Sequence, residues 1–173
     1  MKEIKVYNVI FPIWFLLFFP PVIFLTLLGN FIIDSLVVLG CFYLFKLSNQ
    51  QMNVKAFYKK GIFKVWIYGF LADFAGAAIL FFIEMLEGSL GISYEVISAI
   101  SYDPFRHPLA VVIIVFSMIV SALLIFFLNY KLTFKTLIED KALRFKVSLT
   151  LAIITIPWTF LLPTKWFYGE FYF

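Results

Sequence analysis

The chain holds one cysteine and one histidine among its 173 residues, and charged side chains make up only 14% of it. A lone thiol forms no internal disulfide, so a disulfide scaffold is excluded. Zinc hydrolysis of the H-E-x-x-H kind, bis-His haem ligation and cysteine-pair redox relays all need more His or Cys than is present. Neither a Walker phosphate loop nor a Rossmann glycine motif occurs, and no cofactor is expected. The scarcity of charge also excludes a disordered chain and a nucleic-acid-binding module.

What fills the space is apolar. Hydrophobic residues reach 64%, aromatics 21%, and the mean hydropathy is +1.01, against roughly 45–50% apolar and 25% charged in soluble domains. An integral membrane protein is the expectation. At roughly 20 residues per span, the chain is long enough for about five or six crossings and no soluble catalytic domain.

The first apolar run, Val6 to Leu47, would be roughly 63 Å long as one helix, about twice a bilayer core. The pair Gly29-Asn30 is the expected turn within it. The predicted fold is an all-α, polytopic bundle forming a single membrane domain, with five transmembrane helices at about 6–28, 31–47, 61–86, 108–130 and 147–163. Placing the N-terminus in the cytoplasm and the C-terminus outside puts Lys2, Lys5, Lys46, Lys55, Lys59, Lys60, Lys64, Lys131, Lys135, Lys141, Arg144 and Lys146 inside, leaving Arg106 and Lys165 outside. That asymmetry follows the positive-inside rule. It accounts for the net charge of +4 and makes the lipid bilayer, with anionic headgroups on the cytoplasmic side, the expected partner.

The N-terminal run has no small-residue cleavage site and leads into a second span, so it reads as a retained anchor. The basic connections Lys46 to Lys60 and Lys131 to Lys146 suit short helices in the inner interface. In the outer loop, Ser93 is placed to cap a short helix bearing Val96, Ile97 and Ile100 on one face, and Asp103-Pro104 ends it. Asp103 and Arg106 are near enough in sequence to pair, and His107 reads as an interface residue. Trp14, Trp66 and Trp166 fall near predicted interfaces, while Trp158 beside Pro157 does not. Pro157 and Pro20-Pro21 should kink or open their helices and free backbone carbonyls.

Acids within apolar spans are the best lead to function, since a central Asp costs about 2.5–3.5 kcal/mol on insertion scales. Asp34, Asp73 and Glu84 are the candidates for ion or substrate binding, with Asn30, Ser117 and Ser121 beside them. Asn30, Asp34 and Cys41 share one face of their span. Asp73 sits in a stripe with Gly69, Ala72 and Gly76, small residues that let another helix pack closely. Ser117 and Ser121 offer a matching small and polar face. Such an acid either fixes helix register as a neutral hydrogen-bond donor, takes part in ion, proton or substrate passage, or contacts a partner subunit.

The stretch Gly29-Asn30-Phe31-Ile32-Ile33-Asp34 resembles the glycine-asparagine run before a catalytic aspartate in lipoprotein signal peptidases, membrane enzymes that use two intramembrane aspartates. The resemblance covers six residues, with one extra residue before the acid and Ser35 where that family has arginine. It implies an aspartate-dependent hydrolase and puts forward Asp34 alone. A turn at Gly29-Asn30 would set Asp34 and Asp73 roughly 15 Å apart in depth, too far for two acids sharing a proton. The expected function is therefore non-catalytic. It is a small transporter-like binding unit for an ion or substrate, or the membrane subunit of a larger assembly, alone or as a homo-oligomer. The Lys, Ile and Phe richness suits a bacterial inner membrane.

Overall fold

The computed structural model describes residues 11–50, 53–86 and 91–168. All regular structure among the described residues is helical: α1 (Ile13–Leu16), α2 (Val22–Leu44), α3 (Val54–Met85), α4 (Tyr94–Tyr102), α5 (Pro108–Leu128), α6 (Lys141–Ile154) and α7 (Lys165–Tyr168). Four helical stretches are long and apolar enough to cross a membrane. They are α2, α3, α5 with its continuation through a π turn to Thr136, and α6 with its continuation to Leu161. Large apolar side chains such as Phe24, Leu25, Leu36, Phe63 and Phe116 stand exposed on these helices, as expected where lipid is the solvent.

The expected first span does not form as one helix among the described residues. After α1 the chain turns, and α2 then runs without interruption across Gly29 and Asn30. The break falls at Pro20-Pro21, where two consecutive residues lack an N–H and their rings obstruct the preceding turn. Gly29-Asn30 makes no turn, because a continuous helix keeps its backbone paired in an apolar setting. The proposed residues Val6 to Ile10 of that span lie outside the described residues.

The turn brings α1 against α3 and the 158–161 turn. The Ile13 amide donates to Thr164 Oγ1 at 2.9 Å, and Trp14 Nε1 donates to the Ile100 carbonyl at 3.3 Å. Trp14 is thus buried inside protein, where an interfacial anchor was expected. Phe15 stacks on Phe81, and Phe18 packs on Phe70 and Phe74, each at a ring separation of 5.5 Å. With an even number of span-length helices, the first and last described segments meet at one end. Five spans had placed them on opposite sides.

The basic connections share the other end, where Phe57 stacks on Phe134 at 5.9 Å. Val54 to Lys60 is not a separate interfacial helix but the first two turns of α3, capped by Asn53 Oδ1, which accepts from the Lys55 amide at 2.8 Å. Asp140 caps α6 in the same way, accepting from Ala142 and Leu143 at 2.8 and 3.0 Å. α4 buries Val96, Ile97, Ala99 and Ile100, the face expected of it, though Ser93 makes no side-chain cap bond. Asp103 pairs with Lys165 at 2.6 Å, and not with Arg106. His107 Nδ1 accepts from the Leu109 amide at 3.2 Å and so starts α5.

Two apolar cores result. One gathers Phe42, Phe57, Val65, Ala72, Ile125, Phe134 and Leu151 at the basic end; the other gathers Trp14, Ala77, Leu80, Ile100, Ile114 and Phe160 at the opposite end. On α3 the division falls between Ala72 and Ala77, and Asp73 lies there.

Candidate functional site

α2 and α3 run antiparallel, and on each of them two polar or small residues stand four apart, so that both face the neighbouring helix. The pairing is reciprocal. Asn30 of α2 meets Asp73 of α3, its Nδ2 donating to Asp73 Oδ2 at 3.4 Å. Asp34, one turn further along α2, meets Gly69, where a Cβ would lie 3.5 Å from Asp34 Oδ2. A methyl at Gly69 would sit in ordinary van der Waals contact with the carboxylate.

Asp34 is 4% exposed. It makes no hydrogen bond or ion pair to any described residue. Asp73 Oδ1 is likewise buried without a hydrogen-bond partner among the described residues. The two carboxyl groups stand one turn apart across the α2–α3 seam, and no hydrogen bond joins them. Both line one cavity of about 300 Å³, with Asn30, Gly29 and Gly69. The depth separation expected from a turn at Gly29-Asn30 disappears with that turn.

The remaining walls come from two broken elements. Leu17 and Phe18 enter from the turn before Pro20-Pro21, and residues 154–160 enter from the end of α6. α6 stops at Ile154 because Pro157 has no N–H for the Ile153 carbonyl. The Trp158 amide turns instead to Ile156 at 2.7 Å. Among the described residues, the carbonyls of Ile153 and Ile154 therefore receive no backbone N–H, beside a cavity that Ile154, Thr155 and Ile156 line. Thr155 Oγ1 is engaged with the Leu151 carbonyl at 2.9 Å.

The other candidates separate from this site. Ser117 Oγ donates to the Gly76 carbonyl at 2.7 Å, and Ser121 Oγ occupies the place that a side chain on residue 76 would take. Both serines are fully buried in the seam between α3 and α5, and neither lines the cavity. The small-residue stripe thus faces two neighbours: Gly69 lies against α2, and Gly76 makes room for α5. Ala72 is buried in the core at the basic end. Glu84 accepts a hydrogen bond from Ser101 of α4, away from the cavity. Sequence reasoning missed the contribution of Leu17 and Phe18, though Pro20-Pro21 had marked that break.

No described group of three or more His, Cys, Asp or Glu residues is placed to hold a metal ion. Comparison with protein-family models, with curated proteins and with solved structures gave no match. The protein is defined by its architecture, a helical bundle with four helices long and apolar enough to cross a membrane.

Proposed function

We propose that the chain is a multi-pass integral membrane protein without catalytic chemistry, and that the cavity holding Asp34 and Asp73 binds a positively charged ion or substrate. It acts as a small transporter-like binding unit or as the binding subunit of a larger membrane assembly. The observation that carries this is Asp34, buried within a span-length helix and lacking any partner among the described residues. An uncompensated carboxylate in such a place is costly, and a cation relieves the cost. The freed carbonyls at the end of α6 support the same polarity, since a helix C-terminus carries partial negative charge. Lys46, Lys55, Lys59, Lys60, Lys64, Lys131, Lys135, Lys141, Arg144 and Lys146 mark the end we assign to the cytoplasm of a cell membrane, most simply a bacterial inner membrane, where anionic headgroups meet them.

Thermal unfolding of the purified protein with sodium, potassium, magnesium and organic ammonium ions tests this. At least one cation should raise the midpoint saturably, and Asp34→Asn should shift the response to higher cation concentration. A midpoint indifferent to all of them overturns it.

A second reading, an intramembrane aspartate-dependent hydrolase, is favoured by one observation: both acids face one cavity. A catalytic pair sharing a proton must be nearly in contact, and no hydrogen bond joins these two. Cleavage of a membrane-anchored peptide that both Asp34→Asn and Asp73→Asn abolish would make this reading the better one.

A further inference from the structure

The geometry points to a small organic ammonium ion, a positive head on a compact apolar body, as the ligand of the Asp34–Asp73 cavity. The inference rests on the cation-binding reading above and narrows it to a chemical class.

Volume is the first argument. About 300 Å³ is space for roughly ten waters at about 30 Å³ each, and it reaches the lower end of small-molecule sites. A metal ion at the acids would leave most of that space to water against apolar walls. Apart from the acids and Asn30, much of the lining is apolar, including Phe18, Phe70, Trp158 and Phe160. Rings of this kind accept the body of an organic cation and attract its charge.

The donors and acceptors give the second argument. Asn30 turns its nitrogen to Asp73, and Thr155 spends its hydroxyl on Leu151. The cavity brings only two carboxylates together, and no described group of three or more His, Cys, Asp or Glu residues is placed to hold a metal ion. An ammonium head has three N–H donors. The unpartnered Asp34 carboxylate and the buried Asp73 Oδ1 accept two of them. The carbonyl freed at Ile154 accepts the third.

The test titrates the full-length protein, in a detergent without amine-bearing lipid, with benzylammonium chloride, with benzyl alcohol as the neutral analogue, and with sodium chloride. Near-saturating benzylammonium should raise the unfolding midpoint by about 5–10 °C, and neither control should. Asp34→Asn and Asp73→Asn should each weaken apparent affinity by about 10- to 100-fold. Gly29→Leu has open space for its Cβ and alters no charge, so it should fold and abolish binding by filling the cavity. Trp158→Phe should keep the midpoint shift while losing the ligand-induced change in tryptophan fluorescence.

If sodium raises the midpoint and benzylammonium does not, the ammonium inference falls and cation binding stands. If benzyl alcohol matches benzylammonium, or if nothing binds, the ammonium inference falls, and if potassium and magnesium also leave the midpoint unchanged, cation binding falls with it. If the response vanishes in phosphatidylethanolamine nanodiscs but persists in phosphatidylcholine ones, a lipid headgroup occupies the site, which overturns a soluble amine as the ligand.

Discussion

Asp34 is held where a carboxylate gains least from its surroundings, and a side chain so placed is expected to cost stability. Leaving a buried polar group unsatisfied costs about 1–3 kcal/mol. Asp34→Leu is therefore expected to raise the unfolding midpoint of the ligand-free protein, by roughly 2–10 °C at this chain length, while removing any response to cations. A lower midpoint would mean that Asp34 has a stabilising partner. Glycines separate by the same logic of local space. A Cβ on Gly76 would meet Ser121 Oγ, the Phe160 ring at 3.1 Å and the Ser117 carbonyl at 3.3 Å, so Gly76→Ala should destabilise by about 1–3 kcal/mol through overpacking. Gly29 has nothing within 4 Å, and Gly29→Ala should be neutral or stabilising by up to about 1 kcal/mol through helix propensity. Equal effects of the two substitutions in a denaturant titration would contradict this division of the glycines.

Among the elements, what breaks a helix decides the site. Pro157 ends α6 beside the acids, and Pro157→Ala restores an N–H that the Ile153 carbonyl can take. α6 should then lengthen into the cavity, so that the unfolding midpoint is kept or raised while the cation response shrinks. An undiminished response would show that the unwound segment is not part of the site. These breaks also mark how far the sequence could be read. The helical class, the later long apolar helices and the face of α4 were all legible, because hydropathy is local. The first turn was misplaced. Gly29-Asn30 has turn-forming residues, but inside a bilayer-length apolar run the demand for paired backbone outweighs turn propensity, and two adjacent prolines are the stronger obstacle. That one shift of register hid the meeting of Asp34 with Asp73. It also left Ser117 and Ser121 as expected neighbours of Asp73, when Gly76 is where they pack.

At the scale of the whole molecule, the four helices among the described residues that are long and apolar enough to cross a membrane are the expected crossings. Single cysteines introduced at Phe11, Tyr94 and Trp166 should react with a membrane-impermeant maleimide from one side, and cysteines at Ser48 and Glu139 from the other. Native Cys41, only 2% exposed, should contribute little background. Labelling of position 11 from the same side as position 48 would restore the five-span arrangement. The two cores, one at each end of the bundle, leave between them the cavity that we propose as the ligand site. Magnetic-resonance dipolar recoupling between ¹⁵N-benzylammonium and aspartate ¹³Cγ, measured on the protein in phosphatidylcholine bilayers, tests that claim most directly. Two aspartate carboxyls should lie within about 4 Å of the ammonium nitrogen, as charge-assisted hydrogen bonds require, and in Asp34→Asn only the Asp73 carboxyl should remain at that distance. A nitrogen found only against lipid phosphate would contradict it.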